Sequence, residues 1–195
     1  MNRKAQSTQD EFTIVSSSVE ETRAFGETLG RALHPGDVVA LRGELGSGKT
    51  TLIQGLVKGL GGDPERVKSP TFVLMREYPL PLEPRGDVAR PTAEPRESRT
   101  LSRGVIHIDG YRLAGAPSIA WLDLDLLFAP EKITVVEWAE RFEGLLPEAA
   151  VELRLAHVSA NRRRITLTGT RPRGRDMIAA FQKQGDGETH GAARD

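Results

Sequence analysis

"GELGSGKTT", residues 43–51, follows the apolar run "DVVALRG" (37–43) and precedes "LIQGLVKGLGG" (52–62). A nearly continuous apolar run closed by glycine predicts a strand buried on both faces of a parallel sheet. The segment after the loop carries Leu52, Ile53, Leu56, Val57 and Leu60 on one helical face and stops at a glycine pair. Between them, Gly43, four residues, then Gly48, Lys49 and Thr50 satisfy the phosphate-loop pattern in the order strand, glycine loop, helix. The glycines admit backbone angles that bulky residues resist, so the amides of Glu44, Leu45, Gly46, Ser47 and Gly48 can turn toward phosphate oxygens at the positive end of the helix. Lys49 would supply a point charge to the β- and γ-phosphates. The Thr50 hydroxyl can join a magnesium shell, and Thr51 is free for an α-phosphate contact.

The rest of the chain is read outward from this loop. "FTIV" (12–15) predicts a strand. In the helix that follows, Ser18 and Glu21 have capping-box spacing and Phe25, Leu29 and Leu33 recur every four residues. Further strands are predicted at "FVLMREY" (72–78), "GVIHID" (104–109) and "ITVVEW" (133–138). "AVELRLAHVS" and "RRRITLTG" alternate with period two as a terminal antiparallel pair, and "RDMIAAFQKQ" predicts a final helix. Residues 79–103 are rich in proline and arginine without periodicity and read as an insertion loop. One domain over 1–195 is expected, with disordered tails at 1–10 and 185–195.

Asp109 and Glu137 each terminate an apolar run, where a phosphate loop needs acids to hold or position magnesium at the carboxyl ends of neighbouring strands. His107, two residues before Asp109, faces the same way on a strand, beside the metal site or as a structural group. The 27 basic and 27 acidic side chains of the 195-residue chain cancel, so no bulk field draws it to nucleic acid or membrane. Cysteine is absent, which excludes disulfides and thiolate-held metal. No signal-like opening and no membrane-length apolar run occur, so a cytoplasmic location is expected. "NRRRITLTGTRPRGR" (161–175) is acid-free, and reads as a solvated hairpin edge or as a patch for RNA or an acidic partner.

"GELGSGKTTL", "VKSPTF" (67–72), "HIDGYRL" (107–113) and "VVEWAER" (135–141), in this order, resemble the signature blocks of the TsaE family, P-loop ATPases of bacterial tRNA threonylcarbamoyladenosine biosynthesis. The resemblance implies a three-layer α/β/α P-loop NTPase-like domain with a mixed, mainly parallel sheet, binding ATP and Mg2+. It implies an ATPase that supports turnover by TsaD-like and TsaB-like partners, without transferring the threonylcarbamoyl group itself and with tRNA contacted indirectly. Carried over by motif position, Lys49 and Thr50 hold phosphate and magnesium, Asp109 is the magnesium-linked acid, and Glu137 is a second acid near the γ-phosphate. Ser69, Pro70 and Thr71 form a switch-like loop, with the Thr71 hydroxyl a candidate contact to γ-phosphate or water. Tyr111, Arg112 and Trp138 match family blocks as packing, adenine or partner contacts. A small-molecule kinase and a nucleotide-sensing module are the competing readings of the phosphate loop.

Overall fold

A computed structural model of the chain describes residues 6–8, 11–70, 73–81, 103–113, 123–142, 144–147, 151–169 and 171–187, with side chains except at 6–8 and 183–187. In chain order the elements are β1 (Gln6–Thr8), β2 (Glu11–Ser16), α1 (Val19–Ala32), β3 (Val38–Gly43), α2 (Lys49–Gly59) and β4 (Met75–Pro79). They continue with β5 (Gly104–Asp109), α3 (Leu124–Leu127), β6 (Lys132–Glu137), β7 (Val151–Ser159), β8 (Arg162–Thr168) and α4 (Pro172–Gly187). Short 3-10 turns occupy Pro64–Arg66 and Ala139–Phe142.

One eight-stranded sheet runs β1-β2-β8-β7-β3-β6-β5-β4. The pairings β7-β3, β3-β6 and β6-β5 are parallel, whereas β1-β2, β2-β8, β8-β7 and β5-β4 are antiparallel. The sheet is mixed as expected, but its parallel part is confined to the four central strands. The burial patterns explain the division. Every residue of β5 and β6 is buried, as are the first four of β3, because layers cover both faces there. β8 and most of β7 alternate inward and outward, which is the signature of a sheet covered on one side only.

On the covered face, α1, α2 and α4 pack against β2, β8, β7, β3, β6 and β5 through a core that includes Leu29, Leu41, Leu52, Ile53, Leu56, Val135, Leu153 and Ile165. Each such side chain contributes roughly 1.5–3 kcal/mol on leaving water. Phe181 of α4 joins this core against Phe12 and Phe25, with ring centroids 5.9 and 5.2 Å away. On the other face, α3 and the Ala139–Phe142 turn cover a smaller core of Val38, Ala40, Ile106, Ile108, Leu127, Val136 and Phe142. The three layers therefore exist over the central strands, and the second helical layer is thin.

α1 begins at Ser18, whose hydroxyl accepts from the Glu21 amide at 3.1 Å. The Glu21 carboxylate accepts in return from Ser17 N at 2.7 Å, one residue earlier than the standard box. α1 and α2 cross at backbone contact. A Cβ built at Gly26 would lie 2.1 Å from Leu52 O, at Gly30 2.2 Å from Leu56 O, at Gly55 2.0 Å from Arg23 O and at Gly59 2.1 Å from Glu27 O. This crossing presses α2, and the loop that opens it, against the sheet.

Three expectations shift. Gln6–Thr8, expected as part of a disordered tail, pairs with β2 as an edge strand, since the outer edge of β2 offers unpaired backbone groups. β4 starts at Met75 instead of 72, because Val73 N and Leu74 N both donate to Pro70 O and Leu74 takes a φ of 66°. α4 runs to Gly187, beyond the expected helix end and into the expected tail. Leu80 N donates to Arg103 O at 3.0 Å, pinning the two ends of the insertion, whose residues 82–102 lie outside the described residues.

Candidate nucleotide site

The site lies where β3, β6 and β5 end. Glu137 stands opposite Leu41 in one register and opposite Asp109 in the other, so the two carboxylates sit side by side on neighbouring parallel strands, on the α2 side of the sheet. Both are nearly excluded from solvent, with exposures of 3% and 2%. Gly43, at the end of β3, packs so closely on β7 that a Cβ would meet Leu155 O at 2.4 Å. Gly48 caps α2 in the left-handed region at φ 102°, the turn that lets Lys49 start the helix from inside the loop. Glu44, Leu45 and Gly46 form the exposed tip, while Ser47 and Lys49 are buried. The Ser47 hydroxyl has no hydrogen-bond partner among the described residues.

Lys49 Nζ donates to Gly43 O at 2.8 Å and Glu44 O at 2.9 Å, curling back over its own loop. The Trp138 ring covers the ammonium at 4.2 Å from its centroid, a cation–π contact, and the Tyr111 ring packs against that indole in a tilted arrangement, centroids 5.1 Å apart. Trp138 holds a φ of 57°, uncommon for a bulky side chain, which turns the chain sharply out of β6 and lays the indole over the loop. Burial pushes the Lys49 pKa down, and the charges of Glu137, Asp109 and Glu140 oppose that shift. Glu140, in the turn after Trp138, is a third acid in this field that the sequence reading overlooked. Its Oε2 is buried without a partner among the described residues.

Thr50 Oγ1 donates to Glu137 Oε1 at 3.0 Å, and His107 Nε2 meets the same oxygen at 3.0 Å. Ser69 Oγ donates to Asp109 Oδ2 at 2.7 Å, and the Tyr111 amide donates to Asp109 Oδ1 at 2.9 Å. His107 is fully buried, and its other nitrogen, Nδ1, lies 3.2 Å from the hydroxyl of Tyr78, a residue that sequence reading did not connect with the site. That link was invisible because the antiparallel register of β4 on β5, across the long insertion, is what brings Tyr78 to His107.

The predicted set thus divides. Lys49, Thr50, His107, Asp109, Tyr111, Glu137, Trp138 and Ser69 converge on the end of α2, and Pro70 shapes the turn beside them. Arg112 is exposed, Thr51 is half-buried in the first turn of α2 and is not among that helix's buried residues, and Thr71 lies outside the described residues. Two carboxylates and one hydroxyl are hard oxygen donors of the kind magnesium takes, with waters and phosphate oxygens filling its other positions. Among the described residues no group of three or more His, Cys, Asp or Glu could hold a metal ion by itself.

Two of the arginines of 161–175 have partners within the fold. Arg163 donates to the carbonyls of Ser159, Ala160 and Arg162 in its own turn, and Arg173 ties α4 to Asp37 at 3.4 Å and to the Ala32 carbonyl. Among the described residues, no helix is long and apolar enough to cross a membrane.

Known proteins resemble this chain over most of its length. The family model for threonylcarbamoyl adenosine biosynthesis protein TsaE matches residues 16–165. The tRNA threonylcarbamoyladenosine biosynthesis protein TsaE of Streptomyces coelicolor is 36% identical over 154 residues, covering 75% of this chain and 89% of that protein. Its counterpart in Haemophilus influenzae is 31% identical over 144 residues, covering 74% and 77%. The crystal structure of Bacillus subtilis YdiB superposes with a TM-score of 0.63 over 95% of this chain and 99% of that one, at 24% identity, a likeness that shows the fold. With the family model spanning the loop, both acids and all of β7, the chain belongs to the TsaE family.

Proposed function

We propose that the chain binds and hydrolyses Mg-ATP as a cytoplasmic subunit of the threonylcarbamoyladenosine machinery, acting with TsaD-like and TsaB-like partners and leaving the threonylcarbamoyl transfer to them. The observation that carries this reading is the Thr50 hydroxyl on Glu137, with buried Lys49 behind it and Asp109 on the next strand.

Phosphoryl transfer is mainly positioning and charge neutralisation, so few groups suffice. Amides of 44–48 would cradle the phosphates, with the buried Ser47 hydroxyl finding its partner there. Lys49, released from the carbonyls of Gly43 and Glu44, would turn its ammonium to the β- and γ-phosphates. Thr50, Asp109 and Glu137 would hold magnesium directly or through water, and that ion, when bound, draws negative charge from the phosphate oxygens. Thr50 can do this without leaving Glu137, because its oxygen retains lone pairs while its proton is donated. Trp138 and Tyr111 would shield the lysine from water and keep its field strong.

Phosphate release tests this reading. The purified chain with magnesium is expected to hydrolyse ATP slowly, and faster with TsaD-like and TsaB-like partners from the same source. Asp109→Ala is expected to lose at least the roughly 10- to 100-fold that removing an outer-shell partner costs a metal site. Phosphate transferred to an added hydroxyl acceptor instead of water would favour a kinase. Partner affinity that responds to ATP without any cleavage would favour a sensor.

A further inference from the structure

We propose that His107 and Tyr78 are positioning residues that fix which oxygen of Glu137 works. The proposal rests on the hydrolytic reading for its kinetic consequence and on proton counting for its structural one. Tyr78, itself 5% exposed, places its hydroxyl 3.3 Å from Lys68 N, 3.0 Å from Lys68 O and 3.2 Å from His107 Nδ1. The Lys68 amide donates to the phenol oxygen, and the single phenol proton can go to the Lys68 carbonyl or to Nδ1.

If it goes to the carbonyl, Nδ1 must itself donate to the phenol, and Nε2 needs a second proton to lie 3.0 Å from a carboxylate oxygen. If it goes to Nδ1, the imidazole is neutral and its one proton is on Nε2. With Glu137 ionised, Nε2 donates to its Oε1 in both arrangements. Thr50 Oγ1 donates to that same oxygen, so Oε1 is occupied from two directions. Oε2 makes no hydrogen bond among the described residues and is the oxygen left to orient water or meet the metal's hydration shell.

The ring of contacts continues past Tyr78. Lys68, gripped through its backbone by the phenol, immediately precedes Ser69, which donates to Asp109. Tyr78 and His107 thus tie the segment leading to Thr71 to both acids of the site. Burial raises the pKa of the Tyr78 phenol, which keeps it a proton donor across the working range.

Two measurements on the full chain decide the proposal. Long-range nitrogen-15 correlation spectra of the nucleotide-free protein report which ring nitrogen of His107 carries a proton. A protonated Nε2, protected from exchange and deprotected in Glu137→Ala, is expected. A bare Nε2 overturns the proposal whatever the protein does with ATP.

The second measurement is kinetic, with partners present. His107→Gln puts an amide donor near the Nε2 position and is expected to retain most of kcat. His107→Leu is expected to lose about 10- to 100-fold in kcat with nucleotide affinity unchanged. Tyr78→Phe, which frees the ring and the Lys68 backbone, falls between them. Equal losses in His107→Gln and His107→Leu, matching a lower melting temperature, would reduce His107 to packing and overturn the proposal. Absence of hydrolysis in the parent would instead refute the hydrolytic reading and leave the spectra to judge His107.

Discussion

Gly55→Ala, a change of one methyl group, is expected to destabilise the protein by about 3 kcal/mol or more, at the upper end of what overpacking costs. Two effects of opposite sign meet at this position. Alanine is the better helix former by about 1 kcal/mol, so on an exposed helix the substitution would stabilise. Here the new Cβ would lie 2.0 Å from Arg23 O and 2.8 Å from Arg23 C, and backbone cannot rotate away as a side chain can. The helices must separate, and separation withdraws Leu52, Ile53 and Leu56 from Leu29 and the sheet. For a chain of this length the loss corresponds to a fall of roughly 6–12 °C in melting temperature, readable by circular dichroism. Gly26→Ala, on the facing helix, is expected to behave alike because its Cβ would meet Leu52 O at 2.1 Å. The double variant should cost less than the sum, since one separation relieves both clashes. A melting temperature equal to the parent's would mean that α1 and α2 are not in backbone contact.

Glu137→Gln is expected to remove hydrolysis by about 100- to 1,000-fold while leaving nucleotide binding intact or stronger. Glutamine keeps the shape of the side chain and an oxygen that can accept from Thr50, so the fold and the loop should survive. What it removes is a buried negative charge. Beside a triphosphate that charge repels the phosphates, and the amide oxygen can still meet the magnesium's hydration shell, so the relieved repulsion offsets the weaker hold on the ion in a site where burial makes charges count. In the proposed hydrolysis the same carboxylate would take or orient a water proton, and a neutral amide does neither well. The separation of a conserved affinity from a lost rate therefore distinguishes a catalytic carboxylate from a binding one.

The sequence made the phosphate loop legible because its strand, glycines and helix are contiguous, and it made Asp109 and Glu137 legible because a charge at the end of an apolar run is conspicuous. The network behind them was hidden because its members meet only through pairing. Tyr78 reaches His107 through the antiparallel β4-β5 register, with the insertion lying between them in sequence. Glu140 reaches the field of Lys49 because Trp138 turns the chain at φ 57°, an angle no local pattern announced. The helix crossing was hidden for another reason. Gly26, Gly30, Gly55 and Gly59 interrupt two apolar faces and look neutral one helix at a time, and their spacing acquires meaning only when the helices face each other. The sheet's antiparallel flank was visible as alternation at 151–168, yet the position of β2 beside β8, which makes antiparallel pairings the larger number, is a tertiary fact.

The most direct test of the proposed hydrolytic site is single-turnover cleavage of ATP by the partner-bound protein, parent against Glu137→Gln, with nucleotide affinity measured on the same samples. Rapid cleavage in the parent and its near-complete loss in the variant at undiminished affinity is the expected result. Cleavage by Glu137→Gln at the parent's rate would contradict it.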